Sequence, residues 1–318
     1  MLPAKVAEIR IKGKTAYVPS AEIEGRTVIV TGSWFRTAAV QDADVAEGEL
    51  VTNPGTFIAA LKASSLKADA FTFFQRPPDV SPKFDLHFEW CNYAAVPITT
   101  FDTWWEALPQ ETRKNVRRSA KRGVSVRAVS FDDTLVHGIH KLYNETPMRQ
   151  GKPFWHFGKD FETVKREHAT YLERSEFIGA FFQNELIGFI KMVYVGGLAV
   201  IFHIIAANAH NDKRPINALI AKAVEICVQK NVKYFVYGQY SYGNKTHSTL
   251  MEIKRRNGFM QIDFPRYYVP LNLKGRAIVA LRLYRGAVGL LPLPVLNGVL
   301  AVRNCFYEKR ISSDKSAA

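Results

Sequence analysis

The stretch that decides the fold of this chain is LAVIFHIIAA at residues 198–207, which leads into a helix pattern from about Pro215 to Lys230. The first segment is a continuous apolar strand, typical of a buried position in a sheet. Pro215 stands at the first helical position, where its missing N–H removes no hydrogen bond. A buried strand that leads directly into a helix predicts a sheet with helices on its faces.

The elements on either side extend this pattern from residue 124 to residue 271. Upstream, the apolar spacing predicts a strand, two helices and two strands, at residues 124–129, 131–146, 160–174, 177–182 and 186–195. Downstream it predicts a strand, a helix and two closing strands, at residues 234–237, 247–256, 260–262 and 267–271. The predicted fold class is therefore α/β (α+β), with a mixed sheet flanked by helices.

The chain before residue 110 is predicted to form a smaller unit. Short β-rich runs at residues 27–30, 70–74 and 86–90 accompany a helix at residues 56–64. An amphipathic helix at residues 111–122 then carries a wholly positive polar face, with Val116 and Ala120 opposite, and ends at Gly123. We divide the chain into residues 1–109, 110–271 and 272–318, the last a basic, amphipathic helical extension.

Composition and charge narrow the class of protein. The chain has 318 residues, of which 47% are hydrophobic and 23% charged, and its net charge is +14; this is the composition of a folded globular protein. Residues 110–130 hold seven Lys or Arg and one acid, and residues 270–318 hold eight and two. This concentration indicates an anionic partner, such as a nucleotide, RNA or lipid headgroups, although a solvated surface explains either segment as well.

Other features argue against two kinds of site and against export. The three cysteines, Cys91, Cys227 and Cys305, are scattered and odd in number, which argues against a disulfide framework or a structural zinc site. No residues have the spacing of metal ligands, so we expect no metal. The N-terminus lacks the apolar stretch of a signal peptide, which predicts a cytoplasmic protein.

The order of elements from residue 124 to 271 resembles that of the GNAT acyltransferase superfamily. The sequence KRRNGF at residues 254–259 is similar to the ending of the last GNAT helix. The sequence RKNVRRSAKRGV at residues 113–124 resembles the basic helix of the Fem family of peptidoglycan aminoacyl transferases, and Ile253-Lys254 matches an apolar-Lys pair of that family. The resemblance implies two GNAT-like lobes, of which the first is reduced here.

The resemblance also implies an acyl donor, either acyl-CoA or aminoacyl-tRNA, held where the long strand meets its helix. We expect Lys213, Arg214 and Asn217 to bind its phosphates, together with Asn244 after the next strand. Residues 210–218 lack the glycines of the superfamily's pyrophosphate loop, which argues against the usual mode of CoA binding. Fem-like proteins also lack that loop and are expected to use aminoacyl-tRNA.

The candidate catalytic residues are Lys254, His203 and Tyr242. Lys254 occupies the position at which many GNAT enzymes carry a tyrosine general acid, and a lysine there can stabilise a developing negative charge. The alternative is an exposed cation at a helix end. His203 is either a proton acceptor or a hydrogen-bonded core residue. Tyr242 follows the next strand, where ligand clefts tend to form. We expect backbone N–H groups near Ala206 and Ala207 to stabilise the oxyanion.

The glycine- and proline-broken loop at residues 148–156 is the candidate acceptor site. GNAT proteins usually bind the acceptor between their first two helices, so the resemblance implies that Arg149, Trp155 and His156 recognise it. The alternative is that the aromatic residues of this loop pack into the body of the protein.

The C-terminus raises a separate question. Residues 286–302 carry no charge and are flanked by Arg282, Arg285 and Arg303. Proline interrupts this stretch, and it is short for a membrane span. Residues 274–310 therefore either contact an anionic membrane surface, with the protein peripheral at the inner face of the membrane, or pack onto the body.

These observations predict an N-acyltransferase that transfers an acyl or aminoacyl group to an amine of a cell-envelope or polysaccharide precursor. Two alternatives stay open. One is an acyl-CoA-dependent N-acetyltransferase of a small amine. The other is a non-enzymatic RNA- or membrane-binding protein on a degenerate GNAT scaffold, because a fold does not by itself fix a function.

Overall fold

A computed structural model describes residues 5–11, 14–43, 51–149, 152–241 and 249–285. Twelve strands form one sheet in the order β1-β2-β3-β4-β5-β14-β6-β13-β12-β11-β10-β7, and β8 and β9 pair with each other. The strands are β1 Lys5–Ile11, β2 Lys14–Ile23, β3 Arg26–Thr31, β4 Thr37–Val40, β5 Ala70–Phe74, β6 Phe88–Pro97, β7 Ser125–Val129, β8 Met148–Arg149, β9 Lys152–Pro153, β10 Ser175–Phe182, β11 Glu185–Val195, β12 Leu198–Ala206, β13 Tyr234–Val236 and β14 Met260–Pro270.

Helices cover the faces of this sheet. The α-helices are α1 Pro54–Ala63, α2 Phe101–Ala107, α3 Gln110–Lys121, α4 Asp133–Tyr143, α5 Phe161–His168, α6 Pro215–Gln229, α7 Thr249–Arg256 and α8 Leu273–Ala280, with short 3₁₀ helices at Leu172–Arg174, Asn208–Lys213 and Leu283–Arg285. No helix among the described residues is long and apolar enough to cross a membrane. The mixed α/β fold class is confirmed.

The joint on which the fold prediction rests is present as expected. Residues 198–201 of β12 are all buried, and α6 begins at Pro215. Its buried face includes Leu219 and Ile220, which pack on the sheet in the largest hydrophobic cluster. Because the buried surface of α6 is wholly apolar, its packing fixes the position of the loop that precedes it.

Three predicted elements differ from the structure by more than three residues. The strand predicted for residues 86–90 is β6, which runs from Phe88 to Pro97. The helix predicted for residues 160–174 ends at His168, because Tyr171 adopts a left-handed φ of 57°. The two predicted closing strands are one strand, β14, which pairs with β6 and β5 in turn. The predicted interruption at residues 263–266 contains Pro265, yet Pro265 pairs with Trp90 within the ladder. The strand thus continues through this proline.

A bulge in β12 separates this strand from β13. Lys191 of β11 pairs with His203 and Met192 pairs with Ile201, so Phe202 is the extra residue. The parallel ladder between β12 and β13 ends at Val200, whereas β12 continues to Ala206. Bulges bend a strand and disrupt its ladder. The two strands therefore diverge beyond Val200 and leave a gap in the sheet.

The first strands form a lobe with its own core, which we call the N-terminal lobe and define as β1–β5 with α1. Phe57 of α1 stacks on Phe71 of β5, with 5.1 Å between ring centroids. Tyr267 and Val269 of β14 complete this core. Since β14 also pairs with β6, the N-terminal lobe is joined to the rest of the molecule by a continuous sheet.

The basic helix α3 is buried differently from the prediction. Thr112 and Ser119 are buried and Val116 packs against the core, whereas Ala120 is exposed. These three residues recur at the helical spacing of four and three, so they form one face. Gly123 follows with a φ of 79°, a conformation that favours glycine. The positive face of α3 is therefore turned away from the core.

Candidate functional site

A cavity of about 780 Å³ lies between the N-terminal lobe and the face of β12 that carries His203. The N-terminal lobe contributes two carboxylates to its wall, Glu8 and Asp42, beside an apolar strip. The other wall comes from the loop before α5, from α5 and from β12: it consists of Trp155, His156, Lys159, Arg166, Glu167, Thr170, Phe202 and His203. Its size, concave shape and mixed lining are those of a site for a small molecule.

The N-terminal lobe contacts the rest of the molecule at one edge of this cavity. The Tyr171 hydroxyl donates a hydrogen bond of 2.7 Å to the Asp42 carboxylate. Tyr171 follows α5, whereas Asp42 follows β4 and has a φ of 50°. This bond therefore fixes the width of the cavity at that edge.

Two histidines on the cavity wall, His156 and His203, lie close to a third, His168, which is buried behind the wall. The ring of His203 lies 4.5 Å from that of His168 and 6.1 Å from that of His156, measured between centroids. Burial, followed by the nearby His168, His156, Lys191 and Lys159, holds the pKa of His203 well below its usual value. The imidazole of His203 is therefore neutral at physiological pH, with one ring nitrogen free of a proton.

A buried ion pair supports His156. Lys159 Nζ lies 2.7 Å from Glu167 Oε1 and 3.0 Å from His156 Nδ1. The side chain of Glu167 is 4% exposed. Burying the Glu167 carboxylate without a partner would cost free energy, so the ion pair with Lys159 stabilises it. Through its contact with His156, Lys159 also orients that imidazole.

Lys191 lies beneath the histidines and is fully buried. Its ammonium donates to the carbonyl oxygens of His168 and Thr170, at the end of α5. Burial lowers the pKa of Lys191 to about 8. Lys191 is on β11 and pairs across the strands with His203 on β12. It therefore links the end of α5 to the part of the sheet that carries the candidate base.

The gap beyond Val200 exposes one backbone edge of β12. Among the described residues, the edge of residues 201–206 that faces β13 has no strand partner. Backbone N–H groups there can bind a developing oxyanion. The expectation for Ala207 is wrong, because its N–H donates to the carbonyl of Ile187 at 2.8 Å. The edge of β12, rather than Ala207, is thus the candidate oxyanion site.

Lys254 is not the exposed cation of the alternative hypothesis. Its side chain is fully buried, and its ammonium donates to the carbonyl of Gln239, just after β13. The ammonium also lies 4.8 Å from the centre of the Tyr237 ring. Burial lowers the pKa of Lys254 to about 8. A buried cation therefore stands at the end of the strand that diverges from β12.

The predicted phosphate-binding residues lie at the loop between β12 and α6. Lys213 is placed over the ring of Phe182, 4.6 Å from its centre, and Arg214 has a left-handed φ of 57°. Arg122 at the end of α3 bonds to the carbonyl and carboxylate of Asp212 in this loop. Asn217 instead bonds to Asn257 after α7, with 3.0 Å between Nδ2 and Oδ1. The structure therefore brings the basic helix to the loop and turns Asn217 towards α7.

Of the predicted acceptor residues, two line the cavity and one does not. Trp155 and His156 are on its wall, and Trp155 is 61% exposed. Arg149 instead makes structural contacts: it donates a hydrogen bond to the carbonyl of Ala206 at 2.8 Å and forms an ion pair with Glu145 at 3.0 Å. The carboxylate of Glu145 in turn accepts the N–H groups of the two residues that follow Ala207.

Two other candidates, Tyr242 and Asn244, lie outside the described residues. Sequence reasoning missed Lys159, Glu167 and Lys191. Lys191 carried a signal, since it is the one charged residue in the otherwise apolar run of residues 186–195. In the part of the chain that the structure describes, no three His, Cys, Asp or Glu residues are grouped to hold a metal ion.

Comparisons of the sequence with known proteins identify no relative. The chain matches no protein-family model and no curated protein.

Comparisons of the structure find several similar proteins. The structure of FemX matches with a TM-score of 0.58 at 11% identity, covering 88% of this chain and 90% of that one. The structure of L-PGS from Bacillus licheniformis matches with a TM-score of 0.52 at 13% identity, covering 84% of this chain and 88% of that one. The C-terminal domain of a putative lysylphosphatidylglycerol synthetase from Agrobacterium fabrum has the same TM-score and identity, covering 87% and 91%. The chain thus has a Fem-like fold, shared with FemX and with these two proteins.

Proposed function

We propose that this protein transfers an acyl or aminoacyl group to an amine that binds in the cavity between the lobes. The observation that carries the proposal is the neutral imidazole of His203, which lies on the wall of that cavity beside the gap between β12 and β13. Such a site can hold an amine, accept its proton and present backbone N–H groups to an oxyanion.

The acceptor side of the cavity is suited to a protonated amine. Glu8 and Asp42 of the N-terminal lobe face Trp155 and His156 on the opposite wall. Carboxylates attract an ammonium group, and the aromatic ring of Trp155 offers a surface for the uncharged part of the molecule. The acceptor therefore binds between the carboxylates of one wall and the histidine-bearing wall opposite.

The chemical step forms one amide bond. The bound ammonium first loses one proton to solvent, and the free amine nitrogen then attacks the carbonyl carbon of the donor. Backbone N–H groups of residues 201–206 stabilise the oxyanion. On forming the new C–N bond the nitrogen gives up a second proton. His203 accepts this second proton. When the ester C–O or thioester C–S bond breaks, that proton passes to the departing oxygen or sulfur. The buried cation of Lys254 stabilises negative charge on the donor side.

An aminoacyl ester is the favoured donor. Residues 210–218 lack the glycines that a pyrophosphate loop needs, and Asp212 adds a carboxylate to that loop. One of the similar structures is named as a putative lysylphosphatidylglycerol synthetase. The positive face of α3, joined to the loop by Arg122, provides a surface for the phosphates of a tRNA.

Thermal unfolding in the presence of candidate donors tests the proposal. The panel contains acetyl-CoA, longer acyl-CoAs, charged and uncharged tRNA, and UDP-sugars. A ligand at about a hundred times its dissociation constant stabilises the fold by roughly 2.7 kcal/mol. We expect stabilisation by aminoacyl-tRNA and none by CoA. Stabilisation by acyl-CoA alone identifies an acyl-CoA-dependent transferase, and no stabilisation by any donor contradicts the proposal.

A further inference from the structure

We propose that the exposed face of α8 docks the protein on an anionic lipid membrane. α8 spans Leu273–Ala280 and is followed by a 3₁₀ helix at Leu283–Arg285. This interaction surface is separate from the cavity between the lobes, so it does not depend on the transfer reaction.

The exposed face of α8 is apolar where a helix of a globular protein is usually polar. Gly275, Ile278 and Val279 are buried against the body. On the opposite side Leu273 is 80% exposed, and Leu281, at the C-terminal end of the helix, is 65% exposed. At 100° per residue these two leucines lie about 80° apart and flank the exposed Ala277.

Cations border this apolar face. Arg276, within the helix, and Arg282, just after it, are both exposed. Trp34 lies beside the start of the helix, 62% exposed, with Lys274 placed over its ring. Leucine at the centre, arginine at the edges and a tryptophan at the rim is the arrangement of a helix that lies in a membrane interface.

The body of the protein holds this face in a fixed orientation. Asp69 is buried and receives hydrogen bonds from Asn272 at 3.1 Å and from Lys274 at 3.2 Å. At the other end, Glu89 binds Arg285 with 2.6 Å between Oε1 and Nη2, and also accepts the Tyr284 hydroxyl. These bonds anchor both ends of the segment and leave Arg276 and Arg282 directed away from the core.

The charge of the surrounding sequence identifies the partner. Residues 264–307 contain six Lys or Arg and no acidic residue, and residues 286–302 within them carry no charge. Anionic headgroups attract the cations, while the exposed leucines of α8 enter the acyl boundary. RNA would use the cations but would leave the exposed leucines in water. A lipid surface accommodates both.

Flotation of the full-length protein with vesicles tests the proposal. We expect binding to vesicles that contain phosphatidylglycerol and at least about tenfold weaker binding to vesicles of phosphatidylcholine alone. The double variant R276E/R282E should weaken binding to the anionic vesicles by about tenfold or more. The double variant L273S/L281S should weaken it comparably, because it removes the apolar part of the surface.

Matched controls separate this surface from general effects of charge and hydrophobicity. K62E/K67E reverses two exposed lysines of the N-terminal lobe, and V6S/L172S removes two exposed apolar side chains elsewhere. Both control variants should bind like the wild type. The proposal is overturned if the α8 variants bind vesicles like the wild type, if the control variants lose binding equally, or if the wild type binds RNA at this face and ignores vesicles. Unfolding curves of all four variants confirm that each is folded.

Discussion

The rings of His203, on the cavity wall, and His168, buried behind it, lie with their centroids 4.5 Å apart. His168 is itself fixed, because its Nε2 is 2.9 Å from the hydroxyl of Tyr143 and its carbonyl accepts the ammonium of Lys191. The charged groups around the pair are mainly positive. The pKa of His203 therefore stays low until an anionic group, such as the oxyanion formed in the transfer step, lies close to it.

The first prediction concerns His203. The substitution His203→Gln keeps a polar side chain but removes the proton acceptor, so turnover should fall by about a hundredfold or more. The Michaelis constant for the donor should change little, because the donor lies beyond the gap in the sheet. Steady-state kinetics with saturating donor measures both quantities. The exposed His137 supplies the control, and His137→Gln should retain full turnover.

The second prediction concerns Lys254, whose buried ammonium stands at the end of β13. The substitution Lys254→Met keeps the length of the side chain and removes the charge, and it should lower turnover by about a hundredfold. Arg255→Met on the same helix removes an exposed cation and should have little effect. A Lys254→Met variant that loses stability but retains normal turnover would show that Lys254 serves only the fold.

The third prediction concerns stability and pH. Burial lowers the pKa of Lys191 to about 8, below its unfolded value of roughly 10.4. Between these values the unfolded chain binds more protons than the folded one, so this lysine makes the fold more stable as pH rises. The unfolding free energy of the wild type minus that of Lys191→Met should increase by about 3 kcal/mol from pH 7 to pH 10.5. Chemical denaturation across that range measures it, and a constant difference would contradict the burial of a titrating lysine.

The fourth prediction concerns Arg149, expected from sequence to bind the acceptor but found bonded to Ala206 and Glu145. Arg149→Met should destabilise the protein by about 2 kcal/mol, because it leaves the Ala206 carbonyl and the Glu145 carboxylate without this partner. Glu145→Gln should cost less, since an amide oxygen still accepts one N–H. Urea denaturation measures both. If Arg149→Met instead changes the Michaelis constant for the acceptor and leaves stability unchanged, then Arg149 binds the acceptor and this prediction is wrong.

The sequence predicts the second half of the fold well because its elements are strongly patterned. The strand at residues 198–206 and the helix from Pro215 appear within one residue of the prediction. The strands β1, β2 and β4 were missed. Their exposed faces mix charged and apolar side chains, as Tyr17 shows with 70% exposure, so no alternation stands out. The boundary at residue 109 stays a prediction.

The site is harder to predict because it depends on contacts between distant elements. Trp155, His156 and His203 were chosen separately, and the structure places them on one cavity. The N-terminal lobe supplies the opposite wall through Asp42, which no motif marks. Likewise, Arg149 bonds to the carbonyl at the end of β12, and its partner Glu145 accepts an N–H of the loop that follows. These contacts depend on where the backbone of that loop lies, which the sequence does not reveal. The catalytic roles of Lys254, His203 and Tyr242 remain predictions.

One measurement tests the central claim most directly: single-turnover consumption of donor by excess enzyme. Radiolabelled aminoacyl-tRNAs and acyl-CoAs are mixed with the wild type or with His203→Gln, in the presence and absence of a mixture of amine acceptors. We expect the wild type to remove the label from aminoacyl-tRNA only when an amine is present and to form an amide, and His203→Gln to do so about a hundredfold more slowly. If the wild type consumes no donor, or if His203→Gln consumes it at the same rate, then transfer at this cavity is contradicted.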